Sequence, residues 1–209
     1  MRQRGWRRLV KTIIDRVVAA ILVVPALPVA ALIALAIRVT MGAPVIFRQQ
    51  RGGLRGRRIE ILKFRTMSGS GSPDTDAQRI TPLGRFLRRT SLDEIPQLVN
   101  LLRGEISLVG PRPLMAEYLE RYSVEQARRH DVLPGITGWA QIHGRNATSW
   151  DERFRLDLWY VDHWSLALDL RILARTLRAL FEMRDTSHPG HATMPEFLGN
   201  RGDDDRLGG

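Results

Sequence analysis

The 209-residue sequence has no cysteine, so disulfides and thiolate metal sites are excluded, and a reducing compartment fits. Lysine is nearly missing: among 32 basic residues only Lys11 and Lys63 are not arginine. A genome rich in G and C gives such a bias by itself. Arginine's planar fork also suits phosphate oxygens. Acidic residues number 22, which leaves a net charge of +10. They are scarcest near the start, where residues 1–16 hold Asp15 alone and residues 38–65 hold Glu60 alone. Basic chains often bind nucleic acid. Here the most basic segments flank an apolar run, so no nucleic-acid partner is expected.

Between those flanks, residues 17–37 (VVAAILVVPALPVAALIALAI) carry no charge. Twenty-one residues at about 1.5 Å each are long enough to span a hydrocarbon core. Basic flanks stay cytoplasmic, and here both flanks are basic. A segment that enters the bilayer, turns and leaves on the same face satisfies both. Pro25 and Pro28 supply the place to turn, because neither has an N–H for the carbonyls of Ile21 and Val24. Three other readings compete: a kinked spanning helix, a cleaved signal peptide and a buried core helix.

After the apolar run, residues 44–50 and 58–64 read as strands around the turn RGGLRGR. Residues 68–78 form a Ser- and Gly-rich loop. Thr81-Pro82 opens a helix that runs into Thr90-Ser91. A second helix follows around Ile95–Leu102 and ends at Gly104, and Ile106–Val109 is a short strand closed by GPRP. Residues 114–130 read as one polar amphipathic helix, and 133–146 as a long Gly-rich loop of the functional kind. Ser149 and Glu152 open a helix through Trp159. The last helix runs from about Ser165 to Met183, before a tail ending DDDRLGG. Trp150, Trp159, Tyr160 and Trp164 suit either a membrane interface or an ordinary core.

The candidate chemistry lies at Asp93-Glu94, in RRTSLDEIPQL. Ser91 to Glu94 spells a capping box, which alone would explain both carboxylates. Pro96 complicates that, since it sits at the third helical position if Asp93 is the cap instead. The alternative is phosphoryl chemistry. A helix start and the nearby Arg88, Arg89 and Arg112 would hold a phosphate. A carboxylate can attack phosphorus, and a divalent cation would relieve the charge repulsion.

The run KFRTM (63–67), the stretch SLDEIPQL–N–LLRGEISLVGPRP (91–113), PGITGWAQIHGRN (134–146) and the basic–apolar–basic start together resemble the bacterial sugar transferase family. These are the monotopic phosphoglycosyl transferases, and this chain is similar to their small, minimal form. The resemblance covers about residues 10–198. It implies an α+β, predominantly helical fold. A re-entrant membrane helix-hairpin would occupy 1–40, a catalytic domain with a small β-hairpin 41–198, and a flexible tail 199–209. It implies transfer of a sugar-1-phosphate from a UDP-sugar to undecaprenyl phosphate with release of UMP. By the resemblance Asp93 is the nucleophile and a Mg2+ ligand, and Glu94 is its partner. Arg88 and Arg112 map to phosphate-side positions. Lys63, Arg65 and Arg145 match motif positions in the substrate region, and Pro25 matches the membrane break. It also implies inner-membrane lipid as a partner, with the catalytic domain on the cytoplasmic face. Oligomeric state, a homodimer included, stays open. Val24 stands where the family often has Ser, Ile95 where Leu is commoner and His143 where Asn is commoner. A non-enzymatic, basic membrane-surface protein is the alternative reading of charge and hairpin.

Overall fold

A computed structural model of the chain describes residues 3, 5–69, 76–143, 149–181 and 196–199. The observed fold is α+β and mostly helical. A 36-residue helix α1 (Trp6–Met41) leads into an antiparallel hairpin, β1 (Ile46–Gly52) and β2 (Arg58–Phe64), in register Ile46↔Phe64 to Gly52↔Arg58. A single turn of 3-10 helix, Leu54–Gly56, lies at the hairpin tip.

α1 is helical across Pro25 and Pro28, so the expected interruption of helical backbone at that point is not present. Proline's fixed φ suits a helix. Each proline removes only one donor, and the apolar residues around them keep their own bonds. One stripe of α1 is covered: Lys11, Asp15, Ala19, Ile33 and Ile37 are buried, with Val23, Ala26 and Ala30 half-buried between them. The spacing of three and four is that of one helix face. Ile21, Val24, Leu27, Leu32, Leu35 and Val39 are exposed on the other side.

Both ends of that stripe are held. Lys11 Nζ donates to Asp169 Oδ2 at 2.6 Å and lies 3.7 Å from Asp15 Oδ2. Asp15 Oδ2 also accepts from the Ser107 hydroxyl at 2.6 Å. Ala19 packs in one apolar cluster with Ile61, Leu101 and Ile106. Ile33 and Ile37 pack in another with Phe64 and Leu87. Arg65 donates to the carbonyls of Gly42 and Ala43, each at 2.8 Å, and to that of Met41, so it satisfies the carbonyls left open where the helix ends.

Beyond the hairpin come α2 (Asp76–Arg79), α3 (Pro82–Arg89), a 3-10 turn Leu92–Glu94, α4 (Gln97–Arg103) and β3 (Ser107–Val109). Thr81 caps α3 as expected, its hydroxyl accepting from Gly84 N at 3.0 Å. The 114–130 segment is not one helix. It is a 3-10 stretch (Ala116–Glu120), a short α5 (Val124–Ala127) and a second 3-10 stretch (Arg128–Asp131). Ser123 interrupts it by adopting extended backbone and forming its own capping box with Gln126.

The Gly-rich 133–146 stretch is more ordered than a loop. It contains β4 (Gly135–Thr137), which pairs in parallel with β3, and α6 (Trp139–His143). Glycine permits this pairing, because a Cβ on Gly135 would stand 2.1 Å from Gly110 N. α7 (Trp150–His163), capped by Ser149, and α8 (Leu166–Phe181) complete the domain. Tyr160 and Trp164 lie in the main core with Val109, Val161 and Ile172. Trp159 is half-exposed and stacks on Trp139 at 4.3 Å. Phe197, near the end of the described chain, packs on Tyr118 and Phe154. The tail expected at 199–209 lies outside the described residues beyond Gly199.

Candidate active site

Asp93 and Glu94 sit on the 3-10 turn between α3 and α4, and neither is used as a helix cap. Ser91 takes a left-handed conformation (φ 57) with no capping bond, so the capping box its spacing suggests does not form. α4 begins after Pro96 and makes no side-chain cap. The two carboxylates are therefore free of the structural duty that would explain them.

They have different surroundings. Glu94 Oε1 accepts from Lys63 Nζ at 2.6 Å and from Arg112 Nη2 at 3.1 Å. Burial pushes its carboxyl up, but these two cations and their hydrogen bonds outweigh it and hold Glu94 at about 2. Asp93 is 8% exposed and accepts no side-chain hydrogen bond among the described residues. Burial pushes its carboxyl above the ordinary range, against the pull of Lys63, and the Glu94 charge pushes the same way. One carboxylate is neutralised and fixed; the other is buried and unpaired. Paired carboxylates with separated pKa values are a mark of acid–base or nucleophilic sites.

Each cation arrives from a different element. Lys63 comes from β2, with Arg112 following β3 and Arg88 in the last turn of α3. Arg88 Nε donates to the Thr66 hydroxyl at 2.9 Å, and its charge acts on Asp93. Gly84 makes this placement possible. A Cβ there would stand 1.9 Å from the Thr66 carbonyl, so α3 lies directly against the chain after β2.

The fold brings Asp93, Glu94, Lys63, Arg88 and Arg112 together. Arg65 is placed at the end of α1, on its carbonyls, and Arg145 lies outside the described residues. Pro25 and Pro28 are on the exposed stretch of α1. His143 stacks on Trp139 at 3.8 Å, and its Nε2 lies 2.9 Å from Arg175 Nη1.

Three arginines missing from the sequence reading join the site. Arg51 of β1 is held by Gln49 and faces Arg112; burial and that like charge push it down to about 10. Burial also pushes Arg153 of α7 down, opposed by Asp157, while the Arg112 and Arg129 charges add to the lowering. Arg129 is fully buried on Asp157 Oδ2, at 2.7 Å, and donates to the Arg112 carbonyl at 2.8 Å. That pair fixes the backbone from which Arg112 reaches Glu94. The run RGGLRGR marks Arg51 as basic, but its nearness to Arg112 depends on the bridge between Arg51 and Met115. No sequence spacing encodes that bridge.

Crowded cations around two carboxylates suit an anionic substrate. Among the described residues no cluster of three or more metal-ligating side chains exists. The donor set still suits magnesium. That ion is commonly held by one or two carboxylates plus substrate phosphate oxygens, and Asp93 offers a carboxylate with no competing hydrogen bond.

The model of the bacterial sugar transferase family matches residues 6–183. An uncharacterized sugar transferase of Bacillus subtilis is 49% identical over 168 residues, covering 78% of this chain and 83% of that protein. A UDP-glucose:undecaprenyl-phosphate glucose-1-phosphate transferase of Caulobacter vibrioides is 44% identical, over 81% of this chain and 69% of its own length. The Escherichia coli protein of the same description is 42% identical over 83% of this chain, which spans only 40% of that longer relative. The match runs through α1, the hairpin and the Asp93-Glu94 turn to the end of α8, and the chain is an enzyme of the bacterial sugar transferase family.

Proposed function

We propose that the chain transfers a sugar-1-phosphate from a UDP-sugar to a polyprenol phosphate, and that Asp93 carries the phosphosugar between them. The observation that carries this reading is the unpaired, buried Asp93 beside a neutralised Glu94. In the first half-reaction an Asp93 oxygen attacks the sugar-linked phosphorus. An Asp93 O–P bond forms, the bond to UMP breaks, and UMP leaves with that electron pair. In the second, the polyprenol phosphate oxygen attacks the same phosphorus and releases Asp93.

Glu94 would otherwise repel the incoming diphosphate, but Lys63 and Arg112 cancel its charge. Arg88, Arg112 and Arg51 bring positive charge close to the acid pair, and that charge would offset what gathers on the phosphate oxygens in the transition state. Magnesium bound through Asp93 and the diphosphate would supply the further charge neutralisation. Relatives described as UDP-glucose:undecaprenyl-phosphate glucose-1-phosphate transferases support this donor and acceptor class.

The membrane part of the reading is a re-entrant α1 on the cytoplasmic face of the inner membrane. α1 is long and apolar enough to cross a bilayer by length and composition. Its buried stripe, however, holds both ends against one domain. Ala19 and Ile33 pack near Ile61 and Phe64. These two contacts lie on either side of Pro25 and Pro28, so both arms of α1 rest on the same domain, as a re-entrant helix requires.

The test is UMP release from a panel of UDP-sugars with undecaprenyl phosphate and magnesium. D93N should lower turnover by about a thousandfold or more, since it removes the nucleophile while keeping shape. Omitting the acceptor should leave a sugar-phosphate mass on the Asp93 peptide. Wild-type turnover by D93N would refute the assignment.

A further inference from the structure

A polar cavity lies away from Asp93, at the opposite end of the hairpin. It measures about 380 Å³ and opens between the first turn of α1, the hairpin tip and the Arg128–Asp131 turn. Gln3, Arg8, Arg55 and Asp131 supply its polar groups, and Val132 and Val161 supply apolar wall. Lys63 of the Asp93 site lies five residues beyond Arg58 on β2, roughly 17 Å along the strand.

Several polar groups of this cavity lack partners among the described residues. Gln3 is 4% exposed, and its Nε2 reaches the Tyr160 hydroxyl at 3.5 Å, while its buried Oε1 has no partner. A buried, unpaired acceptor is costly and calls for a donor. Neither the Arg8 nor the Arg55 guanidinium has a hydrogen bond or ion pair among the described residues, and each feels the other's charge. Burial and that like charge both lower Arg8. α1 begins at Trp6 after Gly5, with no capping side chain and no acid in its first turn, and Gly5 itself lines the cavity. On the next face of the same turn an apolar cleft of about 190 Å³ runs between Trp6, Val10, Trp164 and Leu166.

We propose that this cavity binds a phosphate ester that carries a hydroxyl or ammonium donor. The phosphate would lie on Arg8, Arg55 and the α1 N–H groups. The donor would reach Gln3 Oε1 and the Asp131 carboxylate. Glycerol phosphate and ethanolamine phosphate have this chemistry, whether free or as phospholipid headgroups. The adjoining apolar cleft and the exposed Leu9 and Ile13 suit an attached acyl chain. The site stands apart from the Asp93 reaction and does not rest on it.

The test uses the full chain, delipidated in detergent, with R8Q, R55Q and Q3L. R57Q serves as the charge-matched control from the same hairpin. sn-Glycerol 3-phosphate binding is read by phosphorus NMR. Flotation with phosphatidylglycerol in phosphatidylcholine vesicles reads the lipid form. R8Q and R55Q should each weaken binding about tenfold or more, since a charge-assisted bond is lost. R57Q should stay within about twofold. Q3L leaves the charge unchanged, so its loss of several-fold would identify a built site rather than surface charge. If only vesicles discriminate R55Q from R57Q, the ligand is a lipid headgroup. If the soluble ester discriminates as well, free esters share the site. If neither probe separates R55Q from R57Q, or if Q3L matches wild type, the proposal is wrong.

Discussion

At Asp93 and Glu94, adjacent residues on one 3-10 turn receive opposite treatment from their neighbours. Sequence places two acids beside a basic pair, but a capping box predicts the same residues. Only their contacts tell the two apart: no cap forms, Lys63 and Arg112 claim Glu94, and Asp93 accepts no side-chain hydrogen bond among the described residues. The KFRTM and GPRP motifs make Lys63 and Arg112 legible. The roles of Arg51 and Arg129 are not, because each depends on a crossing of segments distant in sequence.

His130 gives a prediction at the same scale. Its Nδ1 lies 2.9 Å from the Gly53 carbonyl, Nε2 is buried without a partner, and burial plus Arg129 lowers it to about 4. The ordinary value is 6.5, so between the two values the unfolded chain binds more protons. Stability should therefore rise with pH from about 4 to 6.5 and level off above that. The span of 2.5 units corresponds to about 3 kcal/mol. Urea unfolding of H130Q against wild type should show that slope disappear; parallel pH profiles would contradict it.

At the scale of elements, the hairpin, α3, α7 and α8 follow from local pattern. Alternation, Thr81-Pro82, Ser149 and a leucine face each act within a few residues. The 114–130 segment does not follow, because Ser123 restarts the chain inside an otherwise helical pattern. β4 was hidden for another reason: its partner β3 is 28 residues earlier in register, and glycines at 110 and 135 permit the contact rather than announce it.

α1 illustrates both cases. Its length and apolarity are plain in the sequence, but its docking is not. Lys11, one of several cations in the basic flank before the apolar run, proves to be buried against Asp169 and Asp15. Removing it leaves two buried acids uncompensated. K11M should cost about 3–5 kcal/mol in stability, measured by chemical unfolding in detergent. K11M with D169N should recover much of that loss. An unchanged K11M midpoint would mean that α1 is not held there.

Across the whole molecule, the exposed apolar side of α1 and its two docked ends set one plane. Absence of cysteine makes that geometry easy to probe. Single cysteines at Leu9 and Val39, both exposed, should react with a membrane-impermeant maleimide only after the inner membrane is opened. Labelling of one from each side would establish a spanning α1 and exclude the re-entrant form.

Composition and motif order by themselves determined the family, the apolar helix, the basic flanks and the acid pair. These are one-dimensional properties, set by which residues follow which. Tertiary structure alone decided which acid is neutralised and which cations face the site. It also decided that both ends of α1 rest on one domain and that Gln3, Arg8 and Arg55 enclose a polar cavity. Those depend on contacts between segments far apart in the chain, where burial and neighbouring charge change the chemistry of residues whose identity the sequence had already given.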